Sequence, residues 1–508
     1  MMNMNKAKAF LSTVILCCIA PVAAAAGDND TLPSPTADRF GFATLRLQLV
    51  NHTPDMVGKK VTYGQDGAFL AINRMPDKSR IGADGSMTVS FPVAGLTAAS
   101  IIWPSPWYRA TFYMLPGDTT VVRLDMKELL RRSGKANEMD GTDGPRSLLV
   151  DIKGPLERIA REYCDNCQDV ARSVPATPLE AIAAMNADSY VAYQRDLRDR
   201  RLAAWRALPL SKATLTLAEL DVNMEMLAAL SMGAYHIAAA RKETNGLVAD
   251  GNSSLMKDSI DSRIAAMEEL KMLNDGRAQL SQYYYGASSA CPEDEAEHIM
   301  GTSRGPYFDF KRAFAYHLGF SQMKTLDQMG YSNLIGLPAG YRSMIEYENS
   351  QMVRNIEEAR QKKAYHINGI DSMGAPDMFR TIVGRYPGKV RLIDFWGTWC
   401  GACLMALKEM EPMKEELKDH DIVYIHICDN NSSTETWQNM VPKLSGEHYR
   451  VSVDQWIALQ RHAGLPGTTA PAYVVVDRNG NIQRAWTGFG GSESVAEMKR
   501  ELMKALGK

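Results

Sequence analysis

Hydrophobic and polar positions change their period several times along the chain. Between residues 40 and 125, Leu45, Leu47 and Leu49 alternate with Arg46 and Gln48, the period-2 mark of a half-buried strand. Turn sequences punctuate the same stretch. Ala83-Asp84-Gly85-Ser86 precedes a strand-like run at 87–91, and Pro116-Gly117-Asp118 precedes another at 121–124. Short strands between such turns predict a small β-sandwich-like domain over 39–130. From about 147 to 358 the period lengthens. Residues 178–208, 214–244 and 255–278 carry helical spacing, the first of them rich in Ala, Leu, Arg and Asp, predicting a mostly α-helical domain over 145–365. A linker at 368–376 follows. Beyond it, 390–396 reads as an apolar strand interrupted by Arg391 and Asp394, and 400–417 as a helix. Residues 421–428 form a strand, 434–444 and 454–463 helices, and 472–477 a strand. The turn at 478–481 joins that strand to 482–486 as a hairpin, and 492–506 closes as a helix. Apolar strands alternating with helices predict an α/β layer with helices on both faces, over 371–508.

The first residues follow a different rule. Lys6 and Lys8 precede an apolar run at 9–20, then come Pro21, small residues at 23–26 and the polar Gly27-Asp28-Asn29-Asp30. That order is the one a secretory signal peptide needs. It predicts a signal at 1–26, a flexible start at 27–38, and an exported, periplasmic protein that is soluble after cleavage. The run is shorter than the roughly 20 residues that span a bilayer. A retained anchor stays open as an alternative, as does a lipoprotein through Cys17 or Cys18. A chain of 508 residues exceeds one ordinary core, so several domains are expected. The net charge of −2 gives no reason to expect nucleic acid as a partner. Past the signal, Cys164, Cys167, Cys291, Cys400, Cys403 and Cys428 are too sparse for a structural disulfide framework. Cysteine is therefore expected to serve chemistry.

Cys400-Gly401-Ala402-Cys403 stands where a strand gives way to a helix. A helix N-terminus presents unpaired N–H groups and a partial positive charge. This favours thiolate at Cys400, with a pKa toward ~7 or lower. The spacing puts Cys403 one turn on, close enough to resolve a mixed disulfide. Cys400 is thus expected to be the exposed, attacking thiol and Cys403 the resolving one. A structural disulfide and a zinc half-site are the alternatives, but zinc needs two more ligands and none lies nearby in sequence. Asp394 is a charge inside an apolar strand, costly to bury unless it has a role. Desolvation would raise its pKa toward neutrality, which suits general acid/base work. A solvated position at a strand edge is the plainer alternative.

The run DFWGTWCGAC from Asp394 to Cys403 resembles thioredoxin in Asp-Phe-Trp and the TlpA/ResA group of exported thioredoxin-like proteins in Phe-Trp-Gly-Thr-Trp-Cys. GTTAPAYVVVD, from Gly467 to Asp477, is similar to that family's cis-proline loop and following strand, and Gly488 before the last helix fits as well. DGSMTVSF and LPGDTTVV resemble the β-domain that precedes thioredoxin modules in many exported bacterial proteins. The resemblance implies an α/β thioredoxin fold at the C-terminus, preceded by the small β-sandwich-like domain and the mostly α-helical domain. It implies a thiol:disulfide oxidoreductase with no cofactor and no metal. Asp394 would be the buried acid that relays a proton to or from the resolving cysteine. Pro471 would be cis after Ala470 and face the cysteines, with the Ala470 backbone offered to a substrate chain in strand-like pairing. Trp399 is expected at the rim, where substrate contact and simple packing are both open to it, and Trp396 in the core. TlpA/ResA-like proteins often carry a Glu three residues after the second cysteine; here that position is Ala406, and Glu409 further on is expected at the surface.

The same resemblance suggests a reductase of cysteine pairs in other exported proteins, apocytochrome c among them, recycled by a membrane thiol-electron donor. A disulfide isomerase or oxidase of the same fold stays open, as does a peptide- or partner-binding module with a secondary thiol pair. A homodimer through the helical domain is a further expectation. Cys164-Asp165-Asn166-Cys167 is a second pair in a helical context with no strand before it. A local disulfide or two chance thiols, a relay partner for the C-terminal pair, and zinc completed by Cys291 or His298 are the readings open to it. Cys428 ends an apolar strand and is expected to be buried and inert. Cys291 is expected as a lone thiol or a partner of another cysteine, and Tyr283, Tyr284 and Tyr285 as packing or interface.

Overall fold

A computed structural model describes residues 30–65, 80–134, 148–245, 253–370 and 373–507. The expected signal segment, with Cys17 and Cys18, lies outside these. In the front part, β1 (Phe40–Val50), β2 (Thr62–Gln65), β3 (Ser86–Ala94), β4 (Thr97–Pro104), β5 (Trp107–Met114), β6 (Thr119–Asp125) and β7 (Val150–Lys153) build two sheets, β3-β1-β6-β7 and β2-β4-β5. Leu45, Leu47 and Leu49 point into the core and Arg46 out of it, because successive side chains of a strand face opposite ways. β1 pairs antiparallel with β3 and parallel with β6. A parallel pair needs a long connection, and here β2, β3, β4 and β5 lie within it. β7 comes from the stretch whose periodicity reads as helical; four residues are too few to register as a strand.

The helix Glu157–Ser173 packs on β5 and β7. It is the first of a helical series that includes Ala187–Arg206, Lys212–Ser231, Pro306–Ser321 and Ala339–Lys362. The run expected at 178–208 is split, because Asn186 caps a new helix and Ser189 returns the bond in a capping box. Residues 255–278 are helical only through Ile264 and then turn through short 3-10 segments. Leu45, Phe112, Ile152, Tyr163, Leu217, Tyr284 and Phe310 belong to one contiguous hydrophobic cluster. The two sheets and the helices behind them therefore share one core. Among the described residues no helix is long and apolar enough to cross a membrane.

The C-terminal sheet has six strands, β8 (Tyr365–Asn368), β9 (Val390–Trp396), β10 (Ile422–Asp429), β11 (Gly446–Val451), β12 (Ala472–Val476) and β13 (Ile482–Thr487), in the order β13-β12-β9-β10-β11-β8. β8 to β11 run parallel. β12 runs antiparallel to β9, and β13 antiparallel to β12. The expected linker at 368–376 instead begins as the last residue of edge strand β8 and ends inside the helix Ala375–Gly384. β11 escaped the sequence pattern because Glu447, His448 and Arg450 break up its apolar positions. Alternation sorts the core into two layers. Val390, Leu392 and Trp396 of β9 pack under the helices Gly401–Glu416 and Ser492–Ala505. Ile393 and Phe395 pack against Ala375–Gly384 and Val453–His462 on the other face. The front part meets this domain directly: Asn439 Nδ2 donates to the Met323 carbonyl at 3.0 Å, and Met323 packs against the cysteine-bearing layer.

Candidate active site

β9 ends at Trp396, and after Gly397-Thr398-Trp399 the helix Gly401–Glu416 begins with Cys400 as its N-cap. The Cys400 backbone is extended (φ −93°, ψ 96°), and its Sγ accepts the Cys403 N–H at 3.1 Å. The two cysteines are closed in a disulfide with Cα atoms 5.2 Å apart. Cys400 was expected exposed, and this is corrected: it is 6% accessible and Cys403 1%. The cap bond draws the Cys400 sulfur onto the helix end, so the pair lies at the edge of the core rather than out in solvent. Beside it Trp399 is 52% exposed, with Nε1 donating to Asp429 Oδ1 at 3.2 Å. The Trp399 ring folds back over Gly397, where an added Cβ would lie 2.6 Å from it. Thr398 N–H donates to Ser432 Oγ at 2.9 Å, so the turn before Cys400 is held by the loop after β10.

The Ala470–Pro471 peptide is cis. Pro471 is buried, and its carbonyl accepts Gly488 N–H at 2.9 Å. Ala470 is half-buried and packs against the layer that holds both cysteines. Among the described residues neither its N–H nor its C=O has a hydrogen-bond partner. Trp396 is fully buried, Ala406 is buried and Glu409 is at the surface.

Asp394 sits on a central strand, between β12 and β10, and is buried; the solvated strand-edge alternative falls. Its carboxyl is pushed up to about 7, first by burial, with the Lys414 ammonium pulling the other way. It bonds to His426, whose Nδ1 lies 3.0 Å from Asp394 Oδ2. Burial and the Lys414 charge hold His426 well below the ordinary histidine range, so the ring is neutral. Asp394 shares its layer with the cysteines but makes no hydrogen bond to either sulfur among the described residues.

Cys164, Cys167, Cys291 and Cys428 lie outside any disulfide. The local bridge open to Cys164 and Cys167 is not formed. Both sit inside a regular helix, without the extended cap backbone that swings Cys400 over Cys403. Cys164 Sγ instead exchanges hydrogen bonds with the backbone of Thr111, at 3.0 and 3.2 Å. Burial pushes the Cys167 and Cys428 thiols up to about 12. Among the described residues no three His, Cys, Asp or Glu side chains converge as a metal set.

Sequence reading missed His426, Lys414, Asp429 and Ser432. His426 carries the same signal that marked Asp394, a polar residue within an apolar strand. Its pairing with Asp394 depends on strand register, which local sequence does not display.

Residues 381–502 match the Redoxin family. The C-terminal part of the chain is thus a Redoxin domain with a thioredoxin fold. Among the solved structures similar to part of this chain are the following three. A thioredoxin-family thiol:disulfide interchange protein from Chlorobium tepidum is 19% identical, covering 24% of this chain and 83% of its own, with a TM-score of 0.21. The exposed lipoprotein thioredoxin of Streptococcus pneumoniae is 20% identical, over 24% of this chain and 90% of its own, TM-score 0.20. StoA from Bacillus subtilis is 15% identical, over 22% and 82%, TM-score 0.19. No curated protein matches the chain.

Proposed function

We propose that the chain is an exported thiol:disulfide oxidoreductase that reduces disulfides in other exported proteins. The observation that carries this is a cysteine N-cap closed onto a cysteine one turn later, within a Redoxin domain, with a buried carboxyl of raised pKa in the same layer. In the reduced state the Cys400 thiolate attacks one sulfur of a substrate disulfide. The substrate S–S bond breaks, a mixed disulfide forms at Cys400, and one substrate thiolate leaves. Cys403, giving its proton to Asp394, then attacks the Cys400 sulfur and releases the second substrate thiolate. Two electrons pass from the pair to the substrate, and Cys400–Cys403 is left as the disulfide seen here. A membrane thiol-electron donor would return those electrons. The unpartnered Ala470 backbone supports strand-like docking of an extended substrate segment, with Trp399 as an exposed apolar flank. The lysines and apolar run at 6–20 support export.

The test is the reduction potential of the pair in the mature chain, by equilibration with glutathione or dithiothreitol, alongside turnover of insulin disulfides. A value near or below about −250 mV agrees with a reductant. A value near about −120 to −180 mV would place the protein with oxidases and isomerases and overturn the reductase reading.

A further inference from the structure

We propose that Lys414 and His426 form a proton conduit joining Asp394, in the layer of the cysteine pair, to Glu411 at the surface. The inference rests on the oxidoreductase reading above and names positioning residues for it, since neither side chain touches the sulfurs.

Strand register builds the inner half of the path. Tyr473 pairs with Asp394, Asp394 with His426, and His426 with His448, across β12, β9, β10 and β11. Their strand neighbours Ile393, Phe395, Ile425, Ile427, Tyr449 and Val474 face the opposite layer. By alternation the four polar residues therefore form one row under the helix Gly401–Glu416. All four are buried. Polar groups in such a place are expensive unless bonded, and an apolar row would serve packing alone.

The helix supplies the outer half. Lys414 is buried, and its Nζ lies 3.4 Å from His426 Nε2, 3.1 Å from the Ser445 carbonyl and 3.0 Å from Glu411 Oε1. The Glu411 side chain is 45% exposed. An ammonium only donates, so His426 Nε2 accepts and Nδ1 carries the hydrogen toward Asp394. Each link of the chain Glu411–Lys414–His426–Asp394 is thus within hydrogen-bond distance, and the neutral ring has one nitrogen toward each neighbour.

The transfer balances. An N–H bond breaks at Lys414 Nζ as one forms at His426 Nε2. The Nδ1–H bond breaks as an O–H bond forms at Asp394. Lys414 regains its proton from solvent beside Glu411. The reverse step starts from an Asp394 O–H, a neutral ring with its hydrogen on Nε2 and a Lys414 amine that has given a proton to solvent beside Glu411. The O–H bond breaks as Nδ1–H forms, and Nε2–H breaks as an N–H forms at Lys414, so one proton moves outward.

Other groups facing the path leave its direction unchanged. The His448 ring stacks on His426 at 4.9 Å and is kept neutral by burial, with its Nε2 donating to the Leu444 carbonyl at 2.9 Å. The Tyr424 ring lies 5.2 Å from Lys414 Nζ. Burial first, and then the Asp394 charge, keep the Tyr473 hydroxyl protonated. From the helix Ser492–Ala505 the buried residues are Met498 and Leu502, while Glu497 and Glu501 bind Arg484 and Lys499 binds Glu416.

The experiment measures insulin-disulfide reduction by the mature chain against pH, for wild type, Asp394→Asn, Lys414→Met, Lys414→Arg, His426→Gln and Glu411→Gln. Wild type should show an inflection near 7, the value at Asp394. Lys414→Met should move the inflection to a pH higher by about one or more, because a nearby cation is gone, and Lys414→Arg should restore it. His426→Gln keeps a hydrogen-bonding side chain but cannot pass a proton through it; its neutral-pH rate should fall roughly tenfold or more. A packing role alone would lower thermal stability and leave profile and rate as in wild type, and that result overturns the conduit. If the buried variants do not fold, Glu411→Gln decides: its inflection should move down as the Lys414 charge goes unopposed, and no movement overturns the proposal. An unchanged profile in Asp394→Asn overturns it by taking Asp394 off the proton's path. Wild type without any thiol exchange sinks the oxidoreductase reading, and the conduit with it.

Discussion

Replacing Asp394 by Asn should stabilise the oxidised protein, and only in part of the pH range. The folded-state carboxyl is raised from 3.8 to about 7 by burial. A raised acid binds its proton more tightly folded than unfolded. Above both values the folded domain holds a buried charge that the unfolded chain would hold in water, so stability is lost as pH rises through about 7. Each tenfold gain in proton affinity corresponds to about 1.4 kcal/mol, so the rise at Asp394 amounts to a penalty on the order of 4 kcal/mol. That penalty is full well above pH 7 and absent below the unfolded value. Asparagine keeps an oxygen to accept the His426 Nδ1 hydrogen and carries no charge. The variant should therefore exceed wild type by several kcal/mol at alkaline pH, with the gap closing toward about pH 4. Urea unfolding of the oxidised mature chain reads the difference. Amide exchange in β9 reports the same domain locally, which matters in a chain of several folded parts. An Asn variant less stable than wild type at alkaline pH, or a gap independent of pH, would refute a raised carboxyl at this position.

Three further outcomes follow from the site. Cys403→Ser should halt exchange at the mixed disulfide and retain substrate chains on Cys400, visible as reductant-sensitive adducts on a non-reducing gel; their absence would count against Cys403 as the resolving thiol. In the reduced protein, alkylation followed by peptide mapping should label Cys400 first and leave Cys428 and Cys167 unmodified until unfolding, since both thiols are pushed up to about 12; fast native labelling of Cys428 would contradict its burial. Gly397→Ala places a Cβ 2.6 Å from the Trp399 ring. Because that ring is half exposed and can swing away, the stability loss should stay under about 1 kcal/mol, while Trp399 fluorescence and the KM for a protein disulfide both change; unchanged values would show that the ring's place is immaterial.

The C-terminal candidate site was legible in sequence because its residues violate their surroundings. Asp394 interrupts an apolar strand, and a cysteine pair stands at a strand-to-helix switch. The β12–β13 hairpin was readable for the opposite reason, a clean apolar strand followed by Asn-Gly. What stayed hidden was set by contacts distant in sequence. His426 becomes informative only when β10 pairs with β9 in the register that puts it beside Asp394, and Lys414 only when its helix is laid across that row. β11 was lost because the row's last member, His448, is polar where a sheet strand is expected to be apolar. In the front part, the change of period at about 147 marks a change of element type. It carries no information on whether the two kinds of element bury against each other, and here they do, in one core.

β8 gives the connection between the two parts a task of its own. It borders β11 and covers hydrogen-bonding groups that would otherwise line the rim of the sheet. A fragment beginning at 381, where the Redoxin match starts, or at 371, would lack this strand. The bared rim of β11 would then be a template for pairing with another chain. A fragment beginning before Tyr365 would carry its own cover, so the self-association of the isolated domain depends on a few residues that lie outside its family match.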